Sequence, residues 1–374
     1  MRCRVFANLL LGLTIATPAV VFAQADAPAG VERERRIQAI HAAHVFADIH
    51  AHPSRFHRAN VDRIGRDEIA RYRRGSIDVV VANVSSDAAY QGGYTRRDGS
   101  TVPRLRGNDV YTLQPGDAFA FTLDRLERVL NTIESGDAVL ASSPDAVLEA
   151  KRRGQLALLP ALEGADGLEG SIDNLRELYR RGVRLVQLVH FLDNDLGSNQ
   201  TPPYDDGGLT AFGREVIREA NRLGIIVDLA HANTRTILDA LETSTQPILF
   251  SHTGVKALHD GDRYLTDEEI RAIAAKGGVI GIWPAEALES IEGMVQHIDH
   301  VKRLVGVDHI AIASDLRGMS YIDAFGEAAN FLAIVIGLID AGYTDAEIGG
   351  IMGGNFFRVW QQVSRGGAAG EGEK

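Results

Sequence analysis

The sequence predicts an α/β fold, a single (β/α)8 barrel of the TIM type, because short apolar runs alternate with longer amphipathic stretches along most of the chain. Eight of these runs are rich in Val and Ile, and eight parallel strands are the number that closes such a barrel. The predicted strands are Val45–His50, Ile77–Val84, Leu156–Leu162, Arg184–His190, Ile225–His231, Pro247–His252, Gly278–Trp283 and His309–Ser314.

The stretches between these runs carry helix signals. Apolar residues recur at helical spacing in Thr210–Leu223, which stops at a glycine, and Thr266 with Glu269 has the pattern of a capping box. The segment Tyr90–Gly116 is longer than a simple connection between a strand and a helix needs. It is predicted to be either a binding loop or a solvated excursion.

The first residues have the pattern of an export signal. Two arginines precede the apolar run Val5–Phe22, and small residues follow it. We therefore predict that residues 1–25 are a signal peptide and that residues 26–374 form one metal-dependent hydrolase domain, exported to the periplasm or secreted, with no stable membrane span after signal removal. An uncleaved membrane anchor is the alternative, because the run approaches the lower length limit of a spanning helix.

The composition and the net charge limit which binding partners and which metal ligands the sequence predicts. The chain is 45% hydrophobic and 24% charged, as in ordinary globular proteins. Its net charge is -11 and no dense basic cluster is present, so nucleic acid is excluded as an expected partner. The single cysteine, Cys3, lies in the predicted signal, so a metal would have to be held by His, Asp and Glu.

Side chains that can bind a metal or transfer a proton lie at the ends of the predicted strands. In barrels of this type the active site lies at the carboxyl ends of the strands, and six of the eight predicted strands deliver a metal-binding or proton-transferring group there. His50 and His52, two residues apart, would point to the same side of an extended strand. The full set is His50, His52, Glu163, His190, His231, His252 and Asp315. The other histidines, including His57, do not end strands and are predicted to be surface or structural residues.

This donor set favours a metal site. Nitrogen and oxygen ligands without thiolate make zinc the default, with manganese or cobalt as alternatives. Four imidazoles and a carboxylate exceed the needs of one catalytic zinc, so we predict two Zn²⁺ ions bridged by Glu163. Such a pair activates a bridging water for hydrolysis of an amide or ester, and Asp315 could transfer the proton. Taken singly, Glu163 could instead pair with an arginine, His190 could be a hydrogen-bonded core residue, and Asp315 could cap a helix.

At these residues the chain resembles the membrane dipeptidases, the renal-type family of zinc metallopeptidases in the amidohydrolase-like barrel group. The matching motifs are Leu162–Gly164, Leu188–His190, Gly208–Gly213, Val227–His231, Phe250–His252, Ile312–Asp315 and Gly353–Val359.

The resemblance implies a binuclear zinc dipeptidase that cleaves small dipeptides, including those with a D-residue at the C-terminal position. It implies that His50, His52 and Glu163 hold one metal and that Glu163, His231 and His252 hold the other. It further implies that His190 contacts the substrate or the tetrahedral intermediate, that Arg263 holds the dipeptide carboxylate, and that Asp315 is the catalytic proton carrier.

Two departures from the family pattern concern the substrate. The family usually has His-x-Asp where this chain has His50-Ala51-His52, and it tends to carry a second acid after the catalytic one, where this chain continues as Leu316-Arg317-Gly318. The opening His-x-His is more usual in lactonases, N-acyl amino acid hydrolases and phosphotriesterases, although these commonly bridge their metals with a modified lysine. A non-catalytic metal-binding barrel is the third hypothesis. The sequence leaves the oligomeric state open, a homodimer included.

Overall fold

Parallel strands form a nearly closed barrel in the computed structural model, which describes residues 29–58, 60–95, 100–103, 110–202 and 206–371. The predicted signal peptide, residues 1–25, lies outside these residues. The strands are β1 (Ala47–Ala51), β2 (Val79–Ser85), β3 (Tyr94–Thr95), β4 (Thr101–Val102), β5 (Val139–Leu140), β6 (Ala157–Glu163), β7 (Leu185–Gln187), β8 (Ile226–Asp228), β9 (Leu249–Thr253), β10 (Val279–Ile282) and β11 (Ile310–Ile312).

The barrel strands follow one another in chain order. Parallel pairing runs from β1 to β2 and β6 and then through β7, β8, β9 and β10 to β11. The strand β5 also pairs with β6, while β3 and β4 form a separate antiparallel pair. Each predicted strand overlaps one barrel strand, so the (β/α)8 prediction is confirmed. The observed β7, β8 and β11 are shorter than predicted, and His190 and His231 therefore lie in the loops that follow their strands.

Helices cover the outside of the barrel. They are α1 (Ala29–Ala43), α2 (Arg66–Arg74), α3 (Ala88–Gln91), α4 (Asp117–Glu134), α5 (Pro144–Arg152), α6 (Ile172–Arg180), α7 (Ala211–Leu223), α8 (Thr234–Thr243), α9 (Asp267–Ala275), α10 (Ile291–Val305), α11 (Phe331–Asp340), α12 (Asp345–Gly349) and α13 (Asn355–Glu371). The capping box before α9 is confirmed, because Thr266 and Glu269 exchange hydrogen bonds. None of the helices among the described residues is long and apolar enough to cross a bilayer.

Alternating strand residues divide the core into two layers. Val79 and Val81 of β2 belong to one buried cluster, which includes Trp360 of α13, whereas Val80 and Ala82 belong to another. This division follows from the two-residue period of a strand, which sends successive side chains to opposite faces. Both faces of β2 are buried, as expected for a parallel sheet that is covered by helices.

Contacts between the first and last strands bring the two ends of the sheet together. Asp48 accepts hydrogen bonds from the backbone N–H of Ser314 at 2.8 Å and from its hydroxyl at 2.5 Å. One residue further, the backbone N–H of Asp315 donates to the His50 carbonyl at 2.8 Å. These bonds place the residues that follow β11 directly beside those that end β1.

Gly281 of β10 provides a test of how tightly the barrel strands pack. A Cβ atom at this position would overlap the backbone carbonyl of Ser251 and approach the side chain of Ile49. We expect Gly281→Ala to lower the free energy of unfolding by about 1–3 kcal/mol, measured by urea titration, because the strand must shift to accept the methyl group. Gly326→Ala is the matched control, since no atom lies within 4 Å of its added Cβ. Equal stability of the two variants would contradict this packing.

Candidate metal centre and cleft

Glu163, the last residue of β6, lies at the centre of the carboxyl-terminal face of the barrel. Its side chain is almost completely buried, and its two oxygens face different partners. The Oε1 atom lies 3.1 Å from His50 Nε2, 3.3 Å from His190 Nε2, 3.7 Å from His231 Nε2 and 3.9 Å from His252 Nε2. The Oε2 atom lies 3.1 Å from His52 Nε2 and accepts a hydrogen bond from Ser85 Oγ at 2.6 Å.

The charge of Glu163 is favoured in spite of its burial. Burial alone raises the pKa of a carboxyl group, because it disfavours the charged form. Here His190, His52 and His50 outweigh that effect and hold the pKa of Glu163 well below its ordinary value. The carboxylate is therefore available as an ionised ligand at neutral pH.

The predicted site residues form two groups of potential ligand atoms that share Glu163. The first group is His50, His52, Glu163 and Asp315, and the second is Glu163, His231 and His252. Within each group the ligand atoms lie within 4.8 Å of one another, and all of the residues are buried. The structure thus brings together every predicted ligand candidate, with Asp315 and His190 beside them.

The imidazole hydrogen bonds fit metal ligation. His52 Nδ1 donates to the carbonyl of Asn83 at 2.9 Å, which turns the Nε2 atom toward Glu163 and Asp315. His231 Nε2 and His252 Nε2 lie 3.1 Å apart. Burial, reinforced by nearby cationic groups, lowers the pKa of both rings well below the ordinary value, so neither favours a proton. Two neutral nitrogens that converge in this way fit a shared cation, and the donor set suits zinc.

Asp315 lies just after β11 in a conformation that the surrounding residues impose. Its φ of 46° is in the left-handed region, which few non-glycine residues adopt, and a Cβ at Gly318 would overlap its carboxylate. The Oδ1 atom lies 3.5 Å from His52 Nε2 and has no hydrogen-bond partner among the described residues. Burial raises the pKa of Asp315 to about 7, so the group can both take up and release a proton near neutrality.

A residue that the sequence reasoning missed orients His190. Asp87, two residues past β2, is buried and accepts a hydrogen bond from His190 Nδ1 at 2.8 Å. Burial lowers the pKa of His190, but Asp87 and Glu163 outweigh it and the net shift is upward. Gln91 in turn donates to Asp87 at 3.0 Å. The polar run Ser85-Ser86-Asp87 at the end of β2 was the available signal.

The cleft above Glu163 has a volume of about 500 Å³. It contains Arg263, whose Nη1 and Nη2 atoms are buried without a hydrogen-bond partner among the described residues and whose guanidinium lies 5.2 Å from the ring centre of Trp283. Burial lowers the pKa of Arg263 to about 10, which still leaves it charged at neutral pH. A buried, unpaired guanidinium is costly unless an anion joins it.

Two further observations concern the surroundings of the site. His57, predicted to be a surface or structural residue, lines the cleft and packs against His52 with ring centres 4.2 Å apart. It reaches this position because the chain turns back after β1. No described residue of the long segment Tyr90–Gly116 lines the same cleft.

Comparisons with known proteins agree with this architecture. The model of the membrane dipeptidase family, peptidase family M19, matches residues 34–370. The dipeptidase tcpJ of Claviceps purpurea is 32% identical over 254 residues, which are 64% of this chain and 59% of that protein. An uncharacterized dipeptidase of Schizosaccharomyces pombe is 30% identical over 234 residues, which are 59% of this chain and 56% of that protein. The matched parts thus span somewhat more than half of these relatives.

Solved structures share the fold. The probable dipeptidase PvdM of Pseudomonas aeruginosa superposes with a TM-score of 0.75 at 19% identity, covering 90% of this chain and 99% of that one. A metallopeptidase of Rhodobacter sphaeroides, liganded with a phosphinate mimic of the dipeptide L-Ala-D-Ala, gives a TM-score of 0.70 at 19% identity, covering 86% and 99%. With its barrel, its converging ligand groups and a family match over most of its length, the chain belongs to the membrane dipeptidase family of metallopeptidases.

Proposed function

We propose that this protein is a zinc-dependent dipeptidase that hydrolyses the peptide bond of small dipeptides, including those with a C-terminal D-residue. The observation that carries the proposal is Arg263, a buried guanidinium without a partner among the described residues, in the same cleft as the two ligand groups. A free α-carboxylate next to the scissile bond is the group that a dipeptide offers to it, and a guanidinium can grip a carboxylate through two parallel hydrogen bonds. The Rhodobacter sphaeroides metallopeptidase is liganded with a mimic of L-Ala-D-Ala, and this supports the proposal that the substrates include dipeptides with a C-terminal D-residue.

The proposed metal ligands come from the two groups that share Glu163, and Asp315 is not one of them. His50, His52 and Glu163 would hold one zinc ion, and Glu163, His231 and His252 would hold the other. When bound, such a pair lowers the pKa of a bridging water and polarises a substrate carbonyl, which is the chemistry that amide hydrolysis requires. His52 in place of a carboxylate removes one negative charge from the first group, which makes that position more Lewis acidic or less tightly binding.

Asp315 and His190 have the remaining proposed roles, which are proton transfer and hydrogen bonding to the substrate carbonyl. Asp315, with its pKa near 7, accepts the proton of the attacking water and passes it to the leaving amine. His190 is held by Asp87 with its Nε2 atom facing the cluster, so an N–H there can donate to the substrate carbonyl oxygen. The lysine-bridged alternatives find less support, because no lysine is among the described residues that line the cleft.

We also propose that residues 26–374 act as one exported domain after removal of residues 1–25. The family match over residues 34–370 supports the single domain, and the apolar run after the first arginines supports the export signal.

Replacement of the bridging carboxylate tests the metal assignment. We expect Glu163→Gln to lose at least one of two zinc ions per chain, measured by elemental analysis of the purified protein, because an amide oxygen is a neutral and weaker ligand. His190→Asn is the control and should retain the metal while activity falls. Unchanged metal content in Glu163→Gln would contradict the shared ligand.

Asp315→Asn separates proton transfer from metal binding. Asparagine tolerates the left-handed backbone conformation of this position, so the fold should be retained. We expect turnover to fall by at least ~10²-fold, the lower range for loss of a general acid–base group, with zinc content unchanged. Loss of metal in this variant would make Asp315 a ligand, and retained activity would remove it from the mechanism.

Arg263→Ala tests the carboxylate clamp. We expect the KM for a dipeptide to rise far more than the KM for the same dipeptide with an amidated C-terminus, because only the free carboxylate makes the ionic hydrogen bonds. The comparison is made by steady-state kinetics on both substrates with the wild type and the variant. An equal rise for both substrates would contradict the clamp.

A further inference from the structure

The cleft contains three arginines besides Arg263 that the proposed dipeptidase mechanism does not use. Four arginines line it, namely Arg55, Arg58, Arg263 and Arg317, whereas its only lining carboxylates among the described residues are Glu163 and Asp315. This is unexpected in a chain whose net charge is -11. Both carboxylates already belong to the candidate metal centre, so the cleft walls are strongly cationic.

The arginines differ in whether their charge is compensated. Arg317 lies 3.3 Å from the buried carboxylate of Glu68, which offsets it. Arg58 donates to the neutral amide of Gln91 at 3.1 Å, and Arg55 is exposed. Among the described residues no carboxylate pairs with Arg55 or Arg58, and both therefore remain available to an anion from solution.

The loop that carries these two arginines is held in a defined shape. Ser54 and Arg55 both have positive φ, at 56° and 52°, which is unfavourable for residues other than glycine. Arg128 of α4 donates to the carbonyl of Phe56 at 2.8 Å, and Arg125 donates to that of His57 at 3.0 Å. The side chains of Arg125 and Arg128 thus fix the strained loop from outside it. This anchoring holds Arg58 at the cleft.

Arg58 and Arg263 reach the cleft from opposite parts of the ring of strands. Arg58 follows β1 and bonds to Gln91 after β2. Arg263 follows β9 beside Trp283, and β9 is separated from β2 by β6, β7 and β8 and from β1 by β10 and β11. If Arg263 holds the α-carboxylate of the C-terminal residue, the N-terminal residue of a dipeptide extends toward Arg58.

We propose that Arg58, assisted by Arg55, forms a second anion-binding subsite that selects dipeptides with an acidic side chain on the N-terminal residue. The proposal rests on the proposed dipeptidase function and deepens it by naming the substrate class. The acidic side chain would replace water around an uncompensated guanidinium, and the resulting charge-assisted hydrogen bonds would be stronger than those of a neutral amide.

Isosteric substrates isolate the contribution of charge. For the wild-type holoenzyme we expect kcat/KM for Glu-Ala to exceed that for Gln-Ala by about tenfold or more, as for one well-placed ionic contact. The reversed pair, Ala-Glu and Ala-Gln, should differ by less than about threefold, because Arg58 lies on the side of the N-terminal residue. Raising the salt concentration should reduce the Glu-Ala preference, since part of the cleft is open to solvent.

Variants of Arg58 assign the preference to this residue. Arg58→Gln should equalise Glu-Ala and Gln-Ala, mainly through KM, and Arg58→Lys should restore part of the preference. The control is Arg66→Gln, an exposed arginine that pairs with Asp137 away from the cleft and should leave the ratio unchanged.

The outcomes distinguish failure of the subsite from failure of the dipeptidase function. Equal cleavage of Glu-Ala and Gln-Ala by the wild type, or a preference that persists in Arg58→Gln, overturns the subsite and leaves the dipeptidase assignment standing. A preference for Ala-Glu over Ala-Gln instead places the acidic residue on the other side and also overturns the proposal. Failure of the metal-loaded enzyme to cleave any of the four dipeptides overturns both the dipeptidase function and the subsite.

Discussion

The functional face of this protein depends on one buried carboxylate surrounded by imidazoles. Glu163 would be costly in that position if it were isolated, because a desolvated charge loses its hydration. Five histidines lie within 4 Å of its oxygens and come from the ends of four other strands of the barrel, and three of them, His190, His52 and His50, compensate for that loss. The barrel therefore has to be nearly closed for the centre to exist, since neighbouring strands alone do not supply the set.

The contact that closes the barrel between β1 and β11 lies next to a residue with a proposed catalytic role. The bonds from Ser314 to Asp48 join the first and last strands, and the next residue is Asp315. A side chain with a proposed catalytic role thus lies one residue from a contact that brings the sheet edges together. Its left-handed backbone and the missing Cβ of Gly318 show that the loop is shaped around the carboxylate.

Much of this arrangement could be predicted from local sequence. The order of apolar runs gave the barrel, and the rule that active sites occupy the carboxyl ends of strands selected His50, His52, Glu163, His231 and His252. Both arguments need only spacing along the chain. The assignment of roles to these residues, by contrast, came from the resemblance to the membrane dipeptidases.

The parts that escaped prediction depend on contacts between distant segments. Asp87 meets His190 only because the chain turns into α3 after β2 and because β7 is separated from β2 by only one strand, β6. His57 reaches His52 only because the loop after β1 is fixed by two arginines of α4. The spacing of residues along the sequence does not reveal such contacts. The surroundings of the metal centre and the cationic wall of the cleft could therefore be identified only in the folded structure.

We propose above all that a zinc-loaded centre at Glu163 hydrolyses free dipeptides. The most direct measurement is the zinc content and the dipeptide hydrolysis of the same purified protein before chelation, after chelation and after zinc is restored. We expect about two zinc ions per chain in the active protein, loss of activity on chelation and its recovery with zinc. A chelated, metal-free protein that still cleaves dipeptides at the original rate, or a zinc-loaded protein that cleaves lactones but no dipeptide, would contradict it.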